Sequence, residues 1–401
     1  MAALRRVPAF WFEAGLGLAA LVFLPLLVAA PRAVTVLTAF AGLCACGLVL
    51  AGRPAPPWRG LAVPAALFAA LLAWGAVSAA WAPEPRHSLA FAARLAGLFA
   101  AALVLAAAAP CVSAPVRLTR CLITGFVLAL AMAAVDFASR GWLLQPFSSR
   151  PYQPAWLNQA ANGFAILVLP CAAALAGRGR RVAAPAFALA AAATVLALVG
   201  SAAKVALGAG LATAALFAVA GARVARLAAI LSVVAIVTAP LTFARLERLQ
   251  RLAEFAEAVK QSAGHRLLIW SFVGDRIAER PLQGWGLDAA RAIPGGGEPI
   301  RHGETWLPLH PHNAPLQLWL ELGAPGAVIG ALVAAQLWQA LAAARWPRPF
   351  AAAAAGSLAA ALVASLGTYG IWQEWWLATM SICLFLVRVM ARAAAPTAGG
   401  A

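Results

Sequence analysis

The feature that most constrains this chain is a train of apolar runs, each about as long as a bilayer core is thick. About 20 apolar residues cross a membrane as a helix, because a helix satisfies its backbone polar groups within its own segment. Measured with that ruler, the sequence predicts twelve spans, at 10–30, 33–51, 60–81, 88–109, 117–138, 158–176, 182–200, 203–222, 226–243, 314–341, 350–369 and 371–391. Only 11% of residues are charged, against about 25% in soluble domains. Mean hydropathy is +0.85. The expected fold class is an all-α polytopic membrane protein with about 12 transmembrane helices. Alanine and leucine dominate the spans, which suits close helix packing.

Lysine and arginine set the expected orientation, because cytoplasmic loops retain them. With the N-terminus inside, the cytoplasmic segments hold Arg5, Arg6, Arg53, Arg59, Arg117, Arg120, Arg178, Arg180, Arg181, Arg223, Arg226, Arg345, Arg348, Arg388 and Arg392. The short loops on the other side hold Arg32, Arg86, Arg140 and Arg150, with Lys204 at a helix mouth. Both ends then lie in the cytoplasm, and segment 244–313 faces outward, toward the periplasm of a Gram-negative cell. The expected organisation is nine spans in 1–243, a loop with amphipathic helices in 244–313, three spans in 314–392 and a disordered tail in 393–401. Arg5 and Arg6 before a long span fit a signal anchor rather than a cleavable leader.

A net charge of +17 raises nucleic-acid binding, but loop arginines of a membrane protein account for it. Cys44, Cys46, Cys111, Cys121, Cys171 and Cys383 lie mostly within apolar runs and show no zinc or disulfide spacing. No P-loop, GxGxxG, HExxH or paired CxxC is present. The aspartates Asp136, Asp275 and Asp288 form no DxD pair, which argues against a metal-dependent nucleotide-sugar transferase.

Segment 244–313 concentrates the polar chemistry. It carries His265, His302, His310 and His312, four of the five histidines, together with eight of the thirteen acidic residues. Leu246, Leu249, Leu252, Phe255 and Val259 recur at three- and four-residue steps opposite Arg248, Arg251, Glu254 and Glu257, which predicts an amphipathic helix. A second is predicted over 264–279, with Leu267, Leu268, Phe272 and Ile277 on its apolar side. Such helices lie on the membrane surface, roof a cavity or merely cap the bundle.

His312 is the leading candidate for chemistry. It sits in HPHN, flanked by His310 and Asn313 and stiffened by Pro311, at the start of a span. A neutral imidazole there can accept a proton near neutral pH; an ordinary loop histidine or helix cap is the alternative. Arg266 opens the second amphipathic helix, and its guanidinium fork matches phosphate bidentately. Arg276, Arg280, Arg291 and Arg301 read as solvated loop arginines. Lys204, at the outer end of a span, either snorkels or binds an anion. Arg94 and Asp136 fall within spans or near an interface. Gln317 and Glu321, at i and i+4, share a face of the helix after His312 and either orient it or bond across helices.

The run His312, Asn313, Leu316, Gln317, Trp319, Glu321, Gly323, Gly326 resembles a motif of the O-antigen ligase and polymerase superfamily. HRLLIW followed by ERPLQGWGL, and an upstream LNQAANGFAILVLP with Asn158 and Asn162, resemble it too. The resemblance implies a glycosyltransferase that moves a glycan from undecaprenyl diphosphate to an acceptor hydroxyl on the periplasmic face; in ligases the acceptor is lipid A–core. It implies that His312 and Arg266 are catalytic, that Arg266 and Lys204 bind the diphosphate, and that His310, Asn313, Gln317 and Glu321 support them. Lys204 stands where relatives usually carry arginine, so it keeps the charge without the fork. No cofactor, metal or nucleic acid is implied; the partners are the lipid-linked donor, the lipid acceptor and membrane lipids. O-antigen polymerases show R-x10-G patterns in two sizeable periplasmic loops, and none of the arginines in 140–150 or 245–301 here has a glycine eleven residues on; protein O-oligosaccharyltransferases carry a larger C-terminal periplasmic region. A transporter of a lipid-linked or anionic solute is the alternative of another class, disfavoured by the missing symmetry of broken helices.

Overall fold

The computed structural model describes residues 9–51, 58–149, 151–259, 261–301 and 303–394. The expectations resting on Arg5, Arg6, Arg53, Arg150, His302 and the tail 395–401 lie outside them. Before the loop come nine helices: α1 Ala9–Ala29, α2 Ala33–Ala51, α3 Trp58–Ser78, α4 Pro85–Ala108, α5 Pro115–Ala138, α6 Asn158–Ala176, α7 Ala183–Ala197, α8 Ser201–Ala220 and α9 Ala222–Val237. The loop holds α10 Gln250–Val259, α11 Gln261–Glu279 and a hairpin of β1 Pro299–Arg301 with β2 Glu304–Thr305. The chain then returns through α12 Ala314–Ala343, α13 Arg348–Ser365 and α14 Glu374–Ala394.

This is a multi-pass membrane protein. Ten of the described helices are long and apolar enough to cross a bilayer, namely α1 to α6, α8 and α12 to α14. Large apolar side chains such as Val36, Leu43, Leu189 and Val219 face outward from the bundle, as a lipid-facing surface requires. The expected count of twelve is not met by length. α7 has 15 residues and α9 has 16, or about 22–24 Å of helix against a hydrocarbon core of about 30 Å. α7 stops where Leu198 turns extended, and α9 stops at Thr238, just before Pro240.

Small residues let the helices meet closely. α8 packs along α13, and a Cβ on Gly356 would stand 2.5 Å from the carbonyl oxygen of Gly210. α9 packs on α12, and α6 on α13, so the last three helices share one core with the first nine.

The feature that positions the site is a break in α12. Gly323 has φ 62° and ψ −158°, a conformation open essentially to glycine alone. The break frees the carbonyls of the preceding turn, and Pro325 has no N–H to offer them. The loop supplies the missing donors: Trp285 N–H donates to Leu320 O at 2.9 Å and Gly286 N–H to Glu321 O at 2.8 Å, while Ala324 N–H donates to Pro281 O at 2.9 Å. The Trp74 indole of α3 donates to Leu322 O at 2.8 Å. Backbone groups buried away from water need such partners, so the break and the GWGLD turn are one interlocked unit. Leu287 N–H donates to Ser78 Oγ at 3.0 Å and Ser88 Oγ to Leu287 O at 2.8 Å, which seats the same turn on α3 and α4.

α11 forms where the second amphipathic helix was expected. The first begins later than expected, at Gln250, because residues 243–248 form a tighter 3-10 stretch and Leu249 departs from helical geometry. Leu249 and Phe255 remain exposed.

Candidate active site

The HPHN turn is built to hold a histidine rigidly. Asn313 caps α12, its Oδ1 accepting from Leu316 N–H at 3.0 Å, as capping residues do. His312 has φ 55°, rare for a residue with a Cβ, and conformations of this kind persist where the surroundings impose them. The impositions are visible. Its Nδ1 lies 2.5 Å from the carbonyl oxygen of Thr368, and the Trp270 indole of α11 donates to Pro311 O at 2.8 Å. A carbonyl only accepts, so Nδ1 carries the proton and Nε2 keeps its lone pair. His312 is therefore an oriented neutral base. Burial lowers its pKa to about 4 against the opposing effect of the Thr368 bond, and the charges of Arg266 and His265 push the same way as burial.

Arg266 lies one helical turn before Trp270 on α11, so the residue that pins Pro311 also brings the guanidinium toward the histidines. Half-buried, it has no hydrogen bond or ion pair among the described residues. Burial lowers its pKa, while the Tyr369 hydroxyl works the other way. A guanidinium that is desolvated and unpaired is poised for an anion. Tyr369 is itself pushed up by burial, and its hydroxyl accepts from Asn162 Nδ2 at 3.1 Å.

His310 plays a different part. Its ring lies 4.2 Å from that of His312, centroid to centroid. Its Nδ1 accepts from the His312 backbone N–H at 3.2 Å, which puts the ring proton on Nε2, 3.0 Å from the side-chain amide of Gln373. That environment opposes an imidazolium. Burial, then the neighbouring His312, Arg291 and Arg266, lower its pKa to about 3.

Gln317 and Glu321 bond across elements. Gln317 Oε1 accepts from Ile371 N–H at 2.9 Å and its Nε2 donates to Glu321 Oε1 at 2.9 Å. Glu321 Oε2 accepts from Trp372 Nε1 at 2.7 Å and from Asp288 N–H at 2.6 Å. They thus fix the turn after α13, whose Thr368 carbonyl holds His312. Neither side chain is hydrogen-bonded to His312.

Lys204 sits half-buried in the first turn of α8 with no ion-pair partner among the described residues. Its helix starts beside α6, where a Cβ on Gly200 would meet Asn158 Oδ1 at 2.9 Å. Asn162 Nδ2 in turn donates to the Asn158 backbone carbonyl at 2.9 Å and to the Tyr369 hydroxyl at 3.1 Å. The mouth of α8 therefore opens at the same end of the bundle as His312, though among the described residues no hydrogen bond joins Lys204 to Arg266. Arg94, by contrast, pairs with Glu374 at 2.8 Å across α4 and α14, and Asp136 accepts from Leu144 N–H at 2.9 Å. Arg276 pairs with Glu279 at 2.7 Å, Arg280 covers the Trp285 ring at 3.9 Å, and Arg301 bonds Glu257 and Glu304. His265 donates to Thr305 O at 2.8 Å, and His87 meets Asp288 at 2.8 Å.

Sequence reasoning missed Thr368, Tyr369, Gln373 and Trp270. The expected spans 350–369 and 371–391 absorbed the first three, yet α13 ends at Ser365 and α14 begins at Glu374. The glycines 367 and 370 around an aromatic cluster were the available signal.

Fold and site together define a polytopic membrane protein with one basic, histidine-bearing centre where a polar loop meets the helix mouths. Residues 166–331 match the family model described as O-Antigen ligase. The resemblance to the O-antigen ligase superfamily is borne out over that stretch, which includes Lys204, Arg266 and His312 and stops before Thr368. A protein of Rickettsia conorii that carries the provisional name polysaccharide ligase is 32% identical over 139 residues, 34% of either chain. One of Rickettsia bellii, named likewise, is 36% identical over 136 residues, 33% of either chain. The match thus spans about a third of the length of these relatives. No solved structure matches the chain.

Proposed function

We propose that this protein is an O-antigen ligase, a glycosyltransferase that moves a polysaccharide from undecaprenyl diphosphate to lipid A–core on the periplasmic face of a Gram-negative inner membrane. The carrying observation is the pairing of a neutral, oriented base with an unpaired, desolvated arginine at one mouth of the bundle. In this reading the acceptor hydroxyl oxygen attacks the anomeric carbon. The bond from that carbon to the diphosphate oxygen breaks, and its electron pair leaves with the diphosphate. Arg266 and Lys204 neutralise the departing charge, an electrostatic stabilisation aimed at where charge develops. Nε2 of His312 takes the hydroxyl proton or orients the hydroxyl for attack. A single displacement inverts the anomeric centre. His310, Asn313, Gln317 and Glu321 keep the base in place, and the polyprenyl tail lies between helices, open to the bilayer.

The test uses cells lacking their own ligase that express wild type, His312→Ala or Arg266→Ala at matched membrane levels. Lipopolysaccharide resolved on gels should show a long-chain ladder only with wild type. Variants that ladder like wild type refute the site. A wild type that lengthens the lipid-linked glycan without a ladder makes the protein a polymerase.

A further inference from the structure

The loop contains a second concavity, on the side of α11 turned away from Arg266. It is a cleft of about 450 Å³ whose walls include Glu247, Phe272, Asp275, Arg276, Glu298 and Trp306. Phe272 and Trp306 stack with centroids 5.9 Å apart and planes inclined by 21°, and Trp306 is anchored by its N–H to Glu298 O at 3.2 Å. Arg276 lies over the Phe272 ring at 5.0 Å and is already paired with Glu279. Its Nε is buried and has no hydrogen-bond partner. The carboxylates of Glu247, Asp275 and Glu298 enter no side-chain hydrogen bond or ion pair among the described residues. They do not converge either: among the described residues no three His, Cys, Asp or Glu side chains stand close enough to hold one metal ion.

These features select a ligand class. Free carboxylates spread over a wall are acceptors for several hydroxyl donors at once. The electron-rich face of an aromatic ring attracts the weakly positive C–H bonds of a pyranose. Three carboxylates against one guanidinium that is already neutralised repel phosphate, and the volume lies within the range of small-molecule sites. We propose that this cleft binds an uncharged oligosaccharide segment, distal to the sugar that reacts. Residues 271–276 lie about 8–15 Å beyond Arg266 along α11 and roughly half a turn round it, so a glycan held at the catalytic mouth would cross over α11 to reach them. The assignment rests on the transfer reading for its biological sense, and on the cleft alone for its chemistry.

The experiment takes the full chain in detergent on an array of neutral hexose, N-acetylhexosamine and deoxyhexose hexasaccharides, with their monophosphorylated counterparts. Wild type should retain at least one neutral class and little of its phosphorylated form. Trp306→Ala should weaken that retention about tenfold. Because Trp306→Ala can disturb the loop, the isosteric pair Asp275→Asn with Glu298→Gln is run beside it and should weaken retention as well. Gly97→Ala on α4, where nothing stands within 4 Å of the new methyl, should bind like wild type. No retention of any neutral glycan, or retention untouched by both cleft variants, overturns the proposal. So does preferential retention of spermine, run as a separate probe, since that outcome makes the cleft a site for cations. Loss of transfer chemistry on its own merits is read separately: if His312→Ala still ligates while the cleft variants lose glycan binding, the catalytic reading fails and the cleft stands.

Discussion

Replacing Gly323 with alanine tests whether the interlock between α12 and the loop holds the proposed catalytic centre together. The new Cβ would lie 2.2 Å from Leu282 O and 2.8 Å from Gly284 N, both backbone atoms of the docked turn. No rotamer relieves such a clash. At φ 62° and ψ −158° the substitution also incurs about 1–3 kcal/mol of backbone strain. If the turn lifts to make room, the bonds from Trp285, Gly286 and Ala324 are lost, at about 1 kcal/mol each. Either route costs on the order of 3–5 kcal/mol, a large share of the margin of a typical domain. Lifting the turn also frees Asp288 from Glu321 and loosens the frame that sets α11, and with it Arg266, against His312. Thermal unfolding in detergent should therefore fall by on the order of 10 °C, and transfer should fall with it. The control is Gly97→Ala on α4, where nothing stands within 4 Å of the new methyl; there alanine should be neutral or stabilise by up to about 1 kcal/mol. A Gly323→Ala protein with the stability and activity of wild type refutes the interlock.

Three further outcomes are expected. With the pKa of His312 lowered to about 4, kcat/KM should stay level from pH 8 to about 5 and fall as pH drops through about 4, whereas an ordinary histidine would lose activity near about 6.5. A bound diphosphate opposes the effect of Arg266, so the acid limb of kcat should lie at higher pH than that of kcat/KM; coincident limbs near 6.5 contradict the buried base. The same shift makes the folded protein bind fewer protons than the unfolded chain between about 4 and 6.5, so this contribution to stability is complete above that window and lost as pH falls through it. Glu321→Gln should leave one of its three donors unpaired, at about 1–3 kcal/mol, and lower kcat several-fold with little change in donor KM, measured by steady-state transfer; a change confined to KM would place Glu321 on substrate instead. Lys204→Ala should raise the KM for the lipid-linked donor about tenfold while Lys204→Arg retains wild-type values; equal kinetics in all three proteins would remove Lys204 from the donor site.

The membrane class, the boundaries of most helices, the polar loop and the HPHN turn were all legible from residues alone, because they rest on local quantities. An apolar run of about 20 residues has few other fates, and a capping asparagine before an apolar helix declares its own start. His312 and Arg266 were legible as residue types that suit the proposed chemistry, and α11 formed over nearly the predicted range. The two short helices α7 and α9 were not, since hydropathy runs on past the points where Leu198 and Thr238 end the helical backbone. Only the tertiary structure decided that Trp270 ties the helix of Arg266 to the histidine turn, that the Thr368 carbonyl selects the tautomer of His312, and that Gln317 and Glu321 bond to Ile371 and Trp372 in the turn after α13. Those facts depend on groups 41 to 56 residues apart in sequence meeting at one place, and no periodicity within a single segment encodes such a meeting. The break at Gly323 is the clearest case: a glycine in an apolar run is unremarkable in sequence, and its meaning comes from the loop backbone that fills the gap it opens.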